Sequence, residues 1–210
     1  MSSINKYPTF HYSQPSDYHF SHDSVFLARE IFERRGNQLA KDNVQILDLC
    51  AGCGIVGLDL LFHQLKEKSF SGEVDFLEVQ EIYKEHFLKN KEILQSHFPN
   101  SPVSLNWVQN SYASADDSKK YDLIVSNPPY FVVGQGMLSP NEFKNRCRFF
   151  VDSDWQTMIR FMQNSLKPEG QAYFLVREEL KATMAKQFPE MTFPFQVRGT
   201  WVAHIDAGPQ

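Results

Sequence analysis

The chain has 210 residues, of which 42% are hydrophobic and 22% charged, which suits one α/β domain with a sizeable core but not a second full domain. Its net charge of −4 excludes an overall basic surface for nonspecific nucleic-acid binding, so any RNA contact must come from local patches. Three cysteines, no secretory leader pattern and no apolar run of about 18 residues predict a cytoplasmic protein without disulfides or membrane spans.

The N-terminal stretch and the first helix set the expected domain boundaries. Residues 1 to 20 are polar and aromatic without a clear period, so we expect them to cover the domain rather than to join its sheet. A helix is predicted from Ser24 to Arg35, with Asp23 as its N-cap and Gly36 at its end. We therefore predict a covering segment over residues 1 to 22 and a single domain over residues 23 to 210.

A glycine-rich turn follows the first predicted strand, Val44 to Leu49. The sequence DLCAGCGIVGL contains Asp48 and a G-x-G-x-x-G spacing from Gly52 to Gly57, which also fits a dinucleotide-binding turn. A pyrophosphate would be unfavourable beside the Asp48 carboxylate, whereas S-adenosylmethionine carries an ammonium and a sulfonium. We therefore favour S-adenosylmethionine, with Asp48 near its ammonium, directly or through a water, and with glycines that let the backbone approach the ligand.

Two cysteines lie inside this turn. Cys50 and Cys53 form a C-x-x-C, which by itself fits a redox pair or half a zinc site. The chain has no second C-x-x-C and no suitably spaced histidine pair, so neither alternative is favoured and we predict no metal. Cys147 stands alone and is expected to be structural.

The second predicted strand, Glu73 to Glu78, ends in an acidic residue. At the carboxyl end of a parallel strand such a residue can bind both ribose hydroxyls of a nucleoside cofactor, and Glu78 occupies that position. The alternative is a solvent-facing glutamate at the end of a strand. Its following helix is expected to bury Ile82, Phe87 and Leu88, and a third strand is predicted from Val103 to Val108.

The fourth predicted strand, Tyr121 to Ser126, ends in Asn127, Pro128, Pro129 and Tyr130. Two prolines forbid both ladder donation and a helix, so the chain must leave the sheet in a rigid extended turn. The Asn127 carboxamide and the following carbonyls can then form a row of acceptors, and Tyr130 offers a flat face to a planar group that carries an NH2. The alternative is a surface turn that happens to contain two prolines.

A long segment and four further elements complete the predicted chain. Residues 132 to 155 form a segment too long for an ordinary turn, so we expect a mobile substrate loop there. Its Lys144, Arg146 and Arg148 could meet phosphates or lie on a solvated helix. The later elements predicted are a helix over 155 to 166, a strand over 171 to 176, a helix over 178 to 186 and closing strands over 196 to 206.

Alternating strands and helices predict an α/β fold with a doubly wound, mostly parallel sheet and helices on both faces. The first and fourth strands then flank the point where the strand order reverses, and ligands bind beyond their carboxyl ends. The glycine turn and the Asn-Pro-Pro-Tyr turn are therefore expected to face each other across one crevice.

Five segments resemble class I, Rossmann-like S-adenosylmethionine-dependent methyltransferases that carry an NPPY motif, whose sheet has seven strands. They are HDSVFLA, DLCAGCGIVGL, EVQEIYKEHFLKN, YDLIVSNPPYF and SLKPEGQAYFLV, between about Asp23 and Val176. Taken together they are most similar to the bacterial tRNA adenine-N6 methyltransferases. The resemblance implies transfer of a methyl group to an exocyclic amine, most simply adenine N6 in tRNA, with no metal.

The resemblance also assigns roles to individual positions. The implied catalytic residues are Asn127, Pro128, Pro129 and Tyr130. The implied cofactor-binding residues are Asp48, Ala51, Gly52, Gly54, Glu78, Val79, Asn110 and Asn127, with Asn110 where related enzymes often carry an aspartate that accepts from the cofactor's adenine. The implied substrate-binding residues are Asp23, Phe131, Arg146 and Arg148.

Two alternative functions stay open at this point. Protein glutamine N5-methyltransferases share the NPPY motif, and the low basic charge of this chain speaks for a protein substrate. A non-catalytic module that binds S-adenosylmethionine is the other alternative, although Asp48, Gly52, Glu78 and Asn127 are all present. A fold alone does not decide among them.

Overall fold

The computed structural model describes residues 11 to 134 and 136 to 207, and their strands form one sheet. The strands are β1 (Val44–Leu49), β2 (Gly72–Glu78), β3 (Val103–Gln109), β4 (Tyr121–Ser126), β5 (Leu166–Val176), β6 (Thr192–Val197) and β7 (Thr200–Asp206). Their order across the sheet is β3-β2-β1-β4-β5-β7-β6. The order reverses between β1 and β4, as predicted.

The first five strands run parallel, whereas β7 is antiparallel to β5 and β6 is antiparallel to β7. Parallel strands covered on both faces are apolar along their length, and β1 and β4 each expose only one residue partly, Gln45 and Asp122. The predicted Rossmann-like, mostly parallel α/β sheet is confirmed.

Six helices of the described residues connect and cover the strands. They are α1 (His22–Arg35), α2 (Ile55–Glu67), α3 (Tyr83–His97), α4 (Glu142–Arg148), α5 (Trp155–Ser165) and α6 (Glu178–Gln187). The predicted cap of α1 was wrong, because Ser21 rather than Asp23 is the N-cap and its hydroxyl accepts from the Asp23 N–H at 3.0 Å. Ser21 has the extended backbone that a cap needs, so Asp23 becomes an acidic residue of the first turn.

Two apolar clusters lie on opposite faces of the sheet. Alternation along β1 sends Ile46 into a cluster with α1, α2 and α3, and Leu47 into a second cluster with α5 and α6. In the first, the rings of Phe76 on β2 and Phe87 on α3 pack with centroids 4.6 Å apart. This contact joins α3 to the sheet near the carboxyl end of β2.

Helix α3 differs from the expectation for its apolar residues. Phe87 is fully buried, but Ile82 and Leu88 are 51% and 44% exposed. The helix begins at Tyr83, and Tyr83, Phe87 and Leu94 fall on its inner face, which turns Leu88 outward. The expectation that Ile82 and Leu88 are core residues was wrong.

The long segment after β4 folds back onto the turn that precedes it. The N–H groups of Tyr130 and Phe131 both donate to the Arg148 carbonyl oxygen, at 3.0 and 2.9 Å, and Phe131 forms an isolated bridge with Phe149. The last turn of α4 is thus fixed beside the NPPY turn. The predicted mobility of this segment stays a prediction.

The two ends of the chain complete the fold. The predicted closing strands are β6 and β7, joined by a tight turn in which Arg198 and Gly199 both have positive φ, 50° and 87°. At the other end, Asn90 on α3 bonds to the backbone of Ser13, while Tyr12 is buried. Residues 1 to 10 of the predicted covering segment lie outside the described residues, and the predicted division after residue 22 stays a prediction.

Candidate functional site

A cavity lies beyond the carboxyl ends of the parallel strands, where sheets of this topology bind ligands. It contains about 1040 Å³ of empty space, with the solvent at its mouth included. Its walls come from the turns after β1, β2, β3 and β4, from residues 146 to 152, and from residues 18 to 24. The two motifs that the sequence predicted to face one another both line it.

Asp48 lies behind this cavity rather than on its wall. The side chain is completely buried, and its Oδ2 accepts from the N–H of Gly57 in the first turn of α2, at 2.8 Å. Its Oδ1 has no hydrogen-bond partner in the described structure. Burial holds the pKa of Asp48 well above its usual range; the Gly57 N–H opposes this rise and the Glu78 charge adds to it. Contact of Asp48 with an ammonium, directly or through a water, stays a prediction.

The three glycines of the turn differ in whether they line the cavity or allow close packing. Gly52 lines the cavity with φ of 53°, a conformation that favours glycine. Gly54 is not on the wall; a Cβ there would lie 2.9 Å from the ring of Phe87. A Cβ at Gly57 would lie 2.7 Å from the ring of Phe76. Only Gly52 therefore brings backbone to the cavity, and the other two permit close packing of α2.

Glu78, at the end of β2, is a buried carboxylate on the cavity wall. Its Oε2 accepts from the Gly52 N–H at 2.8 Å, and its Oε1 accepts from the Gln80 N–H at 2.9 Å. Burial raises the pKa of Glu78, and the backbone donors at Gln80 and Gly52 counteract part of that rise. Each carboxylate oxygen keeps a further acceptor position, so the group can hold a diol and, at the same time, fix the glycine turn.

The turn after β3 places Asn110 on the same wall, beside Val79. Its Oδ1 accepts from the Ser111 N–H at 2.8 Å, and its own N–H donates to the Glu78 carbonyl oxygen. An amide oxygen has two acceptor positions, so one is left for a ligand. Ala51 also lines this part of the cavity, as predicted for the cofactor set.

The two thiols of the C-x-x-C are held in the neutral form. Burial and the Glu78 and Asp48 carboxylates hold the pKa of Cys50 well above its ordinary value, and burial raises that of Cys53 to about 12. The thiolate is the metal ligand and the nucleophile, so this environment does not suit either role. Within residues 11 to 134 and 136 to 207, no cluster of histidine, cysteine and acidic residues could hold a metal ion.

The NPPY turn forms the wall opposite Glu78, and all four of its residues line the cavity. The Asn127 carboxamide is fixed at both ends, because its Nδ2 donates to Ser24 Oγ at 2.7 Å and its Oδ1 accepts from the Tyr130 hydroxyl at 2.5 Å. One acceptor position on Oδ1 is left. In the described part of the chain no hydrogen bond reaches the Pro128 carbonyl oxygen. The same wall thus carries two neutral acceptors, the Asn127 Oδ1 and the Pro128 carbonyl oxygen.

The structure places one of the four predicted substrate residues on the cavity wall. Arg146 lines the cavity, but its guanidinium is bound to Asp152 through Nη2 at 2.6 Å and through Nε at 3.0 and 3.1 Å. Asp23, Phe131 and Arg148 do not line the cavity. Asp23 instead accepts from Thr200 Oγ1 at 3.2 Å, while Arg148 lies over the Phe131 ring near the mouth.

Several wall residues were missed by sequence analysis. Ser24 had been assigned only to a helix, Tyr83 lay in the EVQEIYKEHFLKN segment without a role, and Tyr18, Tyr112 and Asp152 had not been assigned to the site. The Tyr83 hydroxyl contacts Cys147 Sγ at 3.2 Å, which brings α3 and α4 together over the glycine turn. No sequence pattern gave these residues a role at the cavity, because tertiary packing brings them there.

The carboxylates and hydrogen-bond acceptors around the cavity fit S-adenosylmethionine. The charge of Glu78 on the wall raises the pKa of the buried Asp48 behind it, and among the described residues Asp48 Oδ1 has no hydrogen-bond partner. A ligand with a cationic end would reverse this penalty, whereas a pyrophosphate would increase it. Glu78 can accept from ribose hydroxyls, and Asn110 offers an acceptor farther along the same wall.

Comparisons with known proteins agree with this geometry. A protein-family model described as lysine methyltransferase matches residues 21 to 129, more than half of the chain. The tRNA1(Val) (adenine(37)-N6)-methyltransferase of Bacteroides fragilis is 25% identical over 134 residues, 62% of this chain and 51% of that protein. The protein of the same name from Parabacteroides distasonis is 30% identical over 127 residues, with 60% and 48% covered. The chain thus spans about half the length of the curated relatives it matches.

The fold is also shared with solved structures. An S-adenosylmethionine-dependent methyltransferase from Agrobacterium tumefaciens superposes with a TM-score of 0.57 at 12% identity, over 87% of this chain and 62% of that one. Every helix of the described residues is too short or too polar to cross a membrane. By family match, the chain belongs to the lysine methyltransferase family, and its sheet order is that of the class I S-adenosylmethionine-dependent methyltransferase fold.

Proposed function

We propose that the protein methylates the exocyclic N6 amine of adenine in tRNA. The observation that carries this proposal is the pair of acceptors, Asn127 Oδ1 and the Pro128 carbonyl, beside the ring of Tyr130 on the cavity wall. A planar NH2 has two N–H donors, which the two acceptors can engage while the ring stacks on the base. The names of the curated relatives support the same target.

The residues of the NPPY turn orient the amine rather than deprotonate it. S-adenosylmethionine supplies an electrophilic methyl group on a sulfonium that departs as a neutral thioether. When Asn127 and Pro128 hold both N–H groups in the plane of the base, the nitrogen lone pair is aimed across the cavity. The nitrogen becomes acidic only as it is methylated, so its proton can pass to a weak acceptor such as the Pro128 carbonyl or to water.

The cofactor would be held by the wall across from this turn. Glu78 would accept from the ribose hydroxyls, Gly52 and Ala51 would let the backbone approach, and Asn110 with Val79 would contact the adenine. Asp48 would act on the ammonium through a water. Because the adenine target must enter a cavity, it must be unstacked or lie in a loop of the RNA.

A protein target is the second candidate. The acceptors that suit an adenine amine also suit the planar amide of glutamine, and the net charge of −4 favours a partner other than RNA. The family description names lysine. A lysine ammonium must lose a proton before it can attack, however, and neither Asn127 nor the Pro128 carbonyl is a base strong enough to take it.

The test is the transfer of labelled methyl from S-adenosylmethionine to total cellular RNA and, separately, to total cellular protein, followed by digestion of the labelled pool. The proposal predicts N6-methyladenosine in the tRNA fraction. Label confined to glutamine or lysine in protein would contradict it and make the second candidate correct.

A further inference from the structure

Two exposed arginines beside the NPPY turn lie over aromatic rings that line the cavity, although the arginines themselves do not line it. Arg177 follows the last residue of β5 and caps α6, and its guanidinium carbon lies 4.9 Å from the centroid of the Tyr130 ring. Arg148 is the last residue of α4, with its guanidinium carbon 5.7 and 5.6 Å from the centroids of the Phe131 and Phe149 rings. Arg177 was not singled out by any sequence pattern.

Tyr18 lines the cavity close enough to both guanidinium groups for their charges to act on its hydroxyl. Burial raises the pKa of the Tyr18 hydroxyl, and the charges of Arg148 and Arg177 both act in the opposite direction. Three elements distant in sequence therefore converge here: the N-terminal segment, the end of α4 and the start of α6. The convergence surrounds the ring on which the target base would stack.

The charges of these two arginines are not neutralised by neighbours. Arg146 is paired with Asp152, and Arg198 lies 3.8 Å from Asp23. In the part of the chain that the structure describes, neither Arg148 nor Arg177 has a carboxylate within ion-pair distance. Among the described residues of a chain with a net charge of −4, two exposed guanidinium groups beside the cavity thus stand outside ion pairs, with the Asp23 carboxylate also near Tyr130.

We propose that Arg148 and Arg177 form a cationic lip that binds the phosphates flanking the target nucleotide of an RNA strand. This inference rests on the proposed function, since it assigns the polymer on which the target base is carried. A guanidinium can bind a phosphate through two parallel hydrogen bonds, and two such groups near Tyr18 hold a strand across the mouth.

Arg177 has a second task in this arrangement. Its guanidinium lies over one face of the Tyr130 ring, so in this proposal the target base stacks on the other face and the ring lies between them. Lysine would keep the charge but not the planar stack. The variant Arg177→Lys is therefore expected to keep the phosphate contact and to lose the stacking contribution.

The test measures binding of a fluorescent RNA stem-loop with unpaired loop adenines, over a series of salt concentrations. Wild type is compared with Arg148→Gln and Arg177→Gln, and with Arg160→Gln, an exposed arginine of α5 outside the cavity wall, as the control. Each lip variant is expected to bind about tenfold more weakly and to lower the slope of log affinity against log salt by about 0.7 to 0.9. Arg177→Lys should restore the slope.

The same variants are titrated with S-adenosylhomocysteine, whose affinity should not change. If wild type methylates RNA but both glutamine variants bind the stem-loop with wild-type affinity and slope, the lip is wrong and the proposed function stands. If wild type labels only protein, the proposed function and the lip are both overturned.

Discussion

The turns after β1, β2 and β3, called here the cofactor half of the cavity, are held by backbone N–H groups that donate to buried carboxylates. Gly57 donates to Asp48, and Gly52 and Gln80 donate to Glu78. In the target half, formed by the NPPY turn and the ends of α4 and β5, backbone bonds join the turn to α4, but the Asn127 carboxamide is held by the side chains of Ser24 and Tyr130. Arg177 lies over the Tyr130 ring.

This difference indicates that the fold fixes the cofactor half, whereas side chains of the target half determine which target binds. Backbone donors on buried groups cannot be altered by a single surface substitution, so the cofactor half is fixed by the fold. The target half consists of side chains that can change without loss of the sheet. Substitutions in the two halves should therefore separate cofactor binding from methyl transfer.

The largest effect is expected for Asn127→Ala. It removes the side-chain acceptor that orients the target amine and leaves Ser24 and Tyr130 without a partner. We expect the methyl-transfer rate to fall by about a thousandfold or more, because positioning and electrostatic terms are lost together. Initial rates with labelled cofactor measure this, and Asn37→Ala, an exposed position outside the cavity, is the matched control. A loss below tenfold would remove Asn127 from the proposed mechanism.

Two substitutions of Tyr130 separate the contribution of its ring from that of its hydrogen bond to Asn127. Tyr130→Phe keeps the ring but loses the hydroxyl that donates to Asn127, so we expect about a tenfold lower rate. Tyr130→Ala also loses the stacking surface and should lower the rate by about a hundredfold or more. Steady-state rates with RNA measure both. Equal losses in the two variants would show that the ring contributes nothing to target binding.

In the cofactor half, Glu78→Ala removes the proposed acceptor of the ribose hydroxyls and the partner of two backbone N–H groups. Hydrogen bonds to a charged group contribute about 1.5 to 3 kcal/mol, so S-adenosylmethionine affinity should fall by about ten- to a hundredfold. Equilibrium dialysis measures it, with the exposed Glu81→Ala as the control. An unchanged affinity would show that Glu78 has only a structural role.

The smallest effect is on stability and comes from Asp48→Asn. Burial raises the folded pKa of Asp48, so wild type loses stability as the pH rises from the unfolded pKa of about 3.9 toward the folded value. Asparagine can still accept from the Gly57 N–H, and it does not titrate. The ligand-free variant should therefore unfold about 2 to 4 °C higher at pH 8, if the gain is about 1 kcal/mol, and at the wild-type temperature near pH 3.

Thermal unfolding followed by circular dichroism at several pH values measures this difference. A gain that is constant with pH would mean that the Asp48 charge is not its cause. The same variant should bind S-adenosylmethionine more weakly, since the charge that destabilises the empty protein is the one that favours a cationic ligand.

The sequence predicted the sheet and the two motifs well because their signals are local. The bounds of β1 and β4 agree to the residue with prediction, since each is a short apolar run ended by glycines or prolines. The facing of the glycine turn and the NPPY turn followed from the rule that strand order reverses between the first and fourth strands of such a sheet.

Other features depend on packing that no local pattern records. Ser21 and Asp23 are both good caps, and only the backbone at Ser21 decides between them. The sequence does not tell on which side of the glycine turn the Asp48 carboxylate lies, and the structure places it behind the wall. Tyr18, Asp152 and Arg177 reach the cavity region from distant segments, so they could only be found in three dimensions.

The separation of the two halves is tested most directly at Asn127, which sequence analysis assigned to both the cofactor and the target. The measurement is a calorimetric titration of S-adenosylmethionine into Asn127→Ala beside wild type. We expect an S-adenosylmethionine affinity within about threefold of wild type in a variant that no longer transfers the methyl group. A loss of affinity as large as that of Glu78→Ala would contradict it and show that the two halves bind the cofactor together.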